Sequence, residues 1–170
     1  MYRLLVILFV ISAGMAYGQP PEMEVTRNGF SPITMRVPAM AADKFVEVTK
    51  AWAGSFTNRE GGYDAKNITG NTITISALKR NAMRYQNVGQ TVENKIRYNL
   101  EITFTATSYT VRFVVVDIYG DNDTLLDYRL PDYYKSDGTL KDGYRGLDTS
   151  LETTANNIVQ SYHDFIINYR

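Results

Sequence analysis

The unbroken alternation of apolar and polar side chains from Lys95 to Thr105 constrains the fold of this chain more than any other feature. A repeat of two residues is the period of a β-strand with one buried side and one solvated side. The apolar residues at every second position are Ile96, Tyr98, Leu100, Ile102 and Phe104. A short polar turn, 106–108, leads into a second run, 109–119, which continues the same inner face and predicts an antiparallel hairpin. Pairing Phe104 with Tyr109 or with Val111 keeps the inward set unchanged, so both registers stay open.

Two amphipathic helices are predicted, one before and one after these strands. At about 100° per residue, each segment places its apolar side chains in one stripe that must be buried against a sheet. The first stripe consists of Ala41, Phe45, Val48, Trp52 and Phe56. The second helix is expected to begin at a capping box, Thr149 to Glu152. Its stripe consists of Leu151, Ala155, Ile158, Tyr162, Phe165, Ile166 and Tyr169.

Three further strands complete the predicted order. Alternation at 33–37 ends at Pro38, which cannot donate to a strand ladder, and the β-branched run 72–78 favours a strand over a helix. A weaker strand is expected at 124–130. The order is therefore strand, helix, four strands, helix, which predicts an α+β domain: a curved antiparallel sheet with both helices packed on one face.

The N-terminal residues predict export. Arg3, the apolar run 4–11 and the small residues at the end of 1–18 have the arrangement of a signal peptide that is cleaved before Gln19. We expect 19–32 to be a flexible leader and 33–170 to form one domain. Because the chain contains no cysteine, neither a lipid anchor at the cleavage point nor a disulfide is available. The protein is thus expected to be periplasmic or secreted, with no membrane anchor after cleavage.

Composition argues against several kinds of chemistry. Basic and acidic residues balance at 18 each, which disfavours nucleic acid as a partner. The single histidine, His163, with no cysteine, cannot assemble an ordinary zinc site, and we expect it at the boundary of the last helix's apolar stripe. An irregular calcium site at Asp121, Asp123 and Asp127 is conceivable, but solvated turns are the favoured interpretation. No metal and no cofactor is predicted.

The predicted order resembles that of a known family. The residues that carry the resemblance are Val37-Pro38, Phe45, Trp52, Phe56, Ile68-Thr69-Gly70 and the hairpin of 98–102 with 109–113. Together they are similar to an exported domain-of-unknown-function family, common in Bacteroidetes, whose members are described as having a TBP-like fold. The resemblance covers about 33–169 and implies a fold and a compartment, but no activity and no catalytic residue. The chain departs from it in two long segments, 79–94 and 120–148, which we expect to be loops. They belong to two oppositely charged stretches, basic over 79–97 and acidic over 117–148.

The segment 127–148 mixes tyrosine with aspartate and is one candidate site. Aromatic faces stack on sugars or peptide side chains, while carboxylates accept their hydrogen bonds. The candidate ligand-binding residues are Tyr128, Tyr133, Tyr134, Tyr144, Asp132 and Asp137. The alternative is a loop whose tyrosines fold back over the end of the core.

The outer face of the hairpin is a second candidate. The alternation in this strand predicts three apolar side chains on the outer face: Val114, Val116 and Ile118. The neighbouring strand has polar residues on that face, and an apolar patch on a solvated sheet suggests a binding partner. With Arg97 and Arg112 these residues form the predicted partner surface. Asp117 has inward parity and is expected near the sheet end, bonded or solvated.

Three functional interpretations follow. The favoured one is a non-enzymatic exported module that binds a protein, peptide or glycan of the cell envelope. An envelope polymer hydrolase is the first alternative; it requires a desolvated carboxyl among Asp132, Asp137 and Asp142 to pair with Glu93. Self-association into a homo-oligomer through the three outward apolar residues is the second.

Overall fold

The computed structural model describes residues 18–57 and 63–169 of the 170-residue chain. A short hairpin comes first, and strand, helix, four strands and helix follow it. The elements are β1 (Val25–Thr26), β2 (Gly29–Phe30), β3 (Ile33–Arg36), α1 (Ala42–Thr57), β4 (Tyr63–Thr69), β5 (Thr72–Asn87), β6 (Gln90–Phe104), β7 (Ser108–Tyr119) and α2 (Leu147–Asn168). Two 3₁₀ helices, Asp121–Asp123 and Leu130–Tyr133, lie between β7 and α2. The predicted α+β class is confirmed.

The main sheet has five antiparallel strands in the order β3-β7-β6-β5-β4. The strand β6 lies at its centre, which explains why its inward residues from Ile96 to Phe104 are uniformly apolar. In the β6–β7 hairpin, Phe104 pairs with Tyr109, one of the two registers that the sequence left open.

The first long segment is a paired hairpin and not a loop. Strands β5 and β6 stay paired out to Asn87 and Gln90, with a register shift between Lys79 and Met83. The two-residue turn at Val88 and Gly89 has positive φ at both positions (48° and 78°), as a type I′ turn requires. The loop prediction was wrong because polar residues interrupt the alternation at 79–81, where the irregularity in the ladder accommodates them.

The predicted strand at 124–130 is also wrong. This segment contributes an isolated bridge between Tyr119 and Leu125 and then enters the 3₁₀ helix that contains Pro131. Proline fits the first turn of a helix but cannot extend a ladder. The missing strand is β4, which pairs with β5 at the opposite edge of the sheet.

Both helices pack on one face of the sheet, as predicted. Phe45 of α1 stacks on Phe104 with ring centroids 4.4 Å apart, and Trp52 meets Tyr162 of α2 at 5.0 Å. The hydroxyls of Thr49 and Tyr162, both fully buried, share a hydrogen bond of 2.8 Å. The inner face and the two apolar stripes therefore form one core.

Helix α2 begins before the predicted capping box. Its N-cap is Gly146, whose φ of 86° lies in the left-handed region that favours glycine. Thr149 consequently sits inside the first turn, where its backbone amide donates to Asp148. Glu152, instead of closing a capping box, accepts a 2.9 Å hydrogen bond from the backbone amide of Val25.

The segment expected to be a flexible leader is packed against α2. Met23 is buried, and its backbone amide and carbonyl both bond to the Asn156 side chain, at 2.7 and 3.1 Å. Phe30 is buried as well and meets Phe113 edge-to-face at 5.3 Å. Structure thus begins before Ile33. The predicted signal peptide lies outside the described residues except for Gly18.

His163 is buried and does not lie at the boundary of the stripe as expected. Its Nε2 lies 3.1 Å from the Gly18 carbonyl and its Nδ1 lies 2.9 Å from the Tyr109 hydroxyl. A carbonyl only accepts, so Nε2 carries the proton and Nδ1 accepts from the tyrosine. Burial lowers the pKa of this ring. The sequence-based placement was wrong because the tyrosine partner comes from β7, far away in the chain.

Candidate functional site

A bulge in β7 decides which side chains this strand presents. Arg97 pairs with Asp117, while the next β6 residue, Tyr98, pairs with Val115, so Val116 has no partner in the ladder. An extra residue reverses the parity of everything that follows it. Beyond the bulge, Ile118 points inward and is buried opposite Ile96.

The predicted faces of Ile118 and Asp117 are therefore wrong. Asp117 lies on the solvated side, where its carboxylate forms an ion pair with Arg97. The expectation that Asp117 would be bonded is confirmed. Alternation alone gives no sign of the bulge, because Val114, Val115 and Val116 are identical residues in a row.

One edge of β7 is open over its middle. Strand β3 pairs only with residues 108–111, and its chain turns away at Pro32. At the far end the edge is bonded again, since the backbone amide of Leu126 donates to the Ile118 carbonyl at 2.9 Å. Between these points, within residues 18–57 and 63–169, no strand pairs with 112–117 on this side.

A cavity of about 550 Å³ lies along this open edge. Three segments line it: the β1–β2 hairpin, β7 itself and the turn that begins the second 3₁₀ helix. The apolar part of the lining comes from Phe30, Pro32, Phe113, Val114, Val115, Val116, Ile118, Leu130 and Pro131. Val116, the bulge residue, is 38% exposed and is the most accessible valine of β7.

Every charged residue that lines the cavity is an arginine. Arg27 comes from the hairpin, Arg112 from β7 and Arg129 from the turn. Arg112 also contacts Glu101 across the ladder, with Nε 3.3 Å from Oε2. Within the described part of the chain, Arg27 and Arg129 form no side-chain ion pair. The local charge of the lining is positive although the whole chain is balanced.

The predicted partner surface overlaps this cavity in part. Val114, Val116 and Arg112 line it as exposed or half-buried residues, and Ile118 lines it from the core side. Arg97 is not in the lining; it is paired with Asp117. The prediction missed the hairpin and turn residues because it treated 19–32 as a leader. The dipeptide Asn28-Gly29 is a sequence signal for a tight turn, and it could have indicated the β1–β2 hairpin.

The tyrosines of the other candidate site belong to the end of the core. Tyr133 is buried, its ring centroid 4.9 Å from that of Tyr144 and 6.4 Å from that of Tyr85 on β5. Tyr134 is buried too, and burial raises the pKa of its hydroxyl to about 12. Only Tyr128 is largely exposed, at 48%, and its ring packs against Tyr133. The structure thus places these rings over the core and forms no aromatic binding face from them.

The carboxylates proposed for catalysis are each engaged with a near neighbour. Asp132 accepts from the Arg129 amide, Glu93 pairs with an arginine of β5, and the fully exposed Asp142 pairs with a lysine. Hydrogen bonds from Thr139 lower the pKa of Asp137. A general acid requires the opposite direction. Nothing in this arrangement favours the hydrolase.

No group of three metal-ligating side chains occurs within the described ranges, which include Asp121, Asp123 and Asp127. Asp123 instead bonds to Lys95 at 2.6 Å, which lowers the pKa of its carboxyl. This pair joins the acidic segment to β6, so the charges of the two long segments meet within one molecule.

Comparison with known proteins gives the architecture a name. A TBP-like protein from Parabacteroides distasonis superposes with a TM-score of 0.59 over 82% of this chain and 93% of its own, at 13% sequence identity. The fold is TBP-like. A DUF4468 family protein from Bacteroides ovatus matches 89% of this chain and 87% of its own, at 11% identity and a TM-score of 0.48.

The names of both neighbours describe a fold or a family and no activity. No family model matches the sequence of the TBP-like chain, and no curated protein does either. Neither helix of the described part of the domain is long and apolar enough to cross a membrane.

Proposed function

We propose that this TBP-like domain is a non-enzymatic module of the cell envelope that binds a protein or peptide through the cavity along β7. The observation that carries the proposal is the coincidence, in one place, of an open strand edge, an apolar lining and three arginines. Sites that bind ligands combine an apolar wall with a few polar groups in this way. A cavity of about 550 Å³ is of a size that holds a small ligand or a short peptide segment.

Export is part of the same proposal. It is supported by Arg3, the apolar run 4–11 and the small residues before Gln19. Mass spectrometry of the protein recovered from the cells that make it tests this point. A mature N-terminus at Gln19 is expected, and an intact Met1 in the cytoplasmic fraction contradicts export.

A second copy of the chain is the less favoured occupant. Docking two β7 edges about a two-fold axis brings the same patch of both copies into one interface, which gathers the arginines of both cavities there. Like charges placed together oppose association. The homo-oligomer remains a prediction from the sequence, and light scattering that finds only monomer at working concentration contradicts it.

The proposal is tested by site-specific photocrosslinking in the native envelope. A photoreactive side chain replaces Val116 at the cavity or, as the control, Val88, which is 96% exposed at the tip of the β5–β6 turn. We expect a discrete adduct from position 116 that is absent from position 88 and that is lost when Arg129→Glu is added. The same adducts from both positions, or none from 116, refute the proposal.

A further inference from the structure

The open edge of β7 is bonded at both ends and unpaired between them. The unpaired stretch, 112–117, is on the order of 20 Å long at a rise of about 3.3 Å per residue. It lies where β3 would continue if Pro32 did not turn the chain away. Proteins normally cover or blunt such an edge because its amides and carbonyls recruit another strand. Here the edge is flanked by a cavity.

We propose that this edge accepts an extended acidic peptide, which adds a strand to β7 in line with β3 and places its carboxylates against Arg27 and Arg129. The inference rests on the proposed function and names the class of ligand. In strand addition, backbone hydrogen bonds supply affinity and alternate side chains enter flanking pockets. The bulge at Val116 ends the regular ladder, so pairing is expected along 112–115.

Charge selects the acidic ligand. The lining holds three arginines and no aspartate or glutamate, and two of these arginines form no side-chain ion pair with another residue of the described ranges. Arginine binds carboxylate through two parallel hydrogen bonds, which are stronger than bonds between neutral groups. The apolar contacts come from Phe30, Leu130 and Pro131, which line the same cavity.

The probe is the peptide acetyl-Thr-Val-Thr-Val-Asp-Glu with a free C-terminal carboxylate, titrated by calorimetry into the proposed mature chain, which begins at Gln19. Two matched peptides separate the sources of affinity. One carries N-methyl groups at alternate residues, which removes backbone donors and keeps the charges. The other replaces Asp and Glu by Asn and Gln and ends in an amide, which removes the charges and keeps the backbone.

We expect each matched peptide to bind at least about 10-fold more weakly than the probe, which corresponds to the loss of one or two backbone hydrogen bonds in the first case and of one charged hydrogen bond in the second. Arg27→Glu and Arg129→Glu should weaken the probe by a similar factor. Lys141→Glu, an exposed cation outside the cavity, is the control with the same charge change and should leave binding unaltered. Hydrogen exchange should slow at backbone amides within 112–117 when the probe is bound.

The outcomes separate this inference from the proposed function. Equal binding of the N-methylated peptide refutes strand addition, and equal binding of the neutral peptide refutes the role of the arginines. Absence of probe binding refutes the inference even where position 116 crosslinks to a partner, in which case the proposed function stands. Probe binding that Lys141→Glu weakens as much as Arg129→Glu shows non-specific attraction and also refutes it.

Discussion

The hydroxyl pair between Thr49 and Tyr162 gives the sharpest test of how the two helices are held together. Both side chains are fully buried and their oxygens lie 2.8 Å apart, so neither hydroxyl has water as an alternative partner. Thr49→Val or Tyr162→Phe removes one hydroxyl and leaves the other unsatisfied inside the core. Each single change is expected to cost about 1–3 kcal/mol.

The double variant removes both hydroxyls and leaves no orphan. Its cost should therefore fall short of the sum of the single costs by at least about 1 kcal/mol, the coupling that a double-mutant cycle isolates. Urea denaturation of the four proteins measures this, provided that the m-value stays constant. A coupling below about 0.5 kcal/mol, the scatter of independent sites, refutes the buried bond.

The chain offers a matched control for this cycle. Thr34 and Thr110 share a hydroxyl bond of 2.7 Å on the solvated face of β3 and β7. Replacing either by valine exposes the remaining hydroxyl to water, which satisfies it. The coupling in this second cycle should be close to zero, because burial, and not the bond length, sets the penalty for an unpaired hydroxyl.

Two further predictions concern β7 and α2. Ile118→Lys should destabilise the fold by more than about 3 kcal/mol, because it buries a charge. Val116→Lys should cost less than about 1 kcal/mol, because this side chain is exposed. Equal costs in urea denaturation contradict the bulge. Burial lowers the pKa of His163, so the unfolded chain binds this proton first. Stability should be complete above about pH 6.5 and decrease as the pH falls below it, and His163→Gln should remove that decrease. An unchanged pH profile in the variant contradicts the assignment.

The alternation that predicted β6 worked because the strand is central. From Lys95 to Phe104 one face of β6 is buried and the other is exposed or half-buried, so its period of two is undisturbed there. The same reasoning failed at 79–81 and at Val116, where β5 and β7 carry extra residues that the ladder does not pair. Only the single extra residue at Val116 also reverses which face the following side chains take. Three consecutive valines carry no information about which of them is the extra residue.

The site was harder to predict than the fold. Val116 was found because it is apolar on a polar face, and Arg112 because it belongs to the same strand face, but two of the three segments that line the cavity have no periodicity. Their position depends on partners distant in the chain: Asn156 holds Met23, and Phe113 meets Phe30. Such contacts exist only once the fold has brought α2 and β7 together.

These contacts also bear on how the cavity works. The hairpin that carries Arg27 is tied to α2 by the Asn156 side chain and by Glu152, which accepts from the Val25 amide. The wall of the cavity is therefore fixed before any ligand arrives. A site on a preordered wall avoids the entropy cost of ordering side chains and loops on association. For the proposed peptide, which loses its own freedom on binding, a preordered wall keeps the total entropy cost lower.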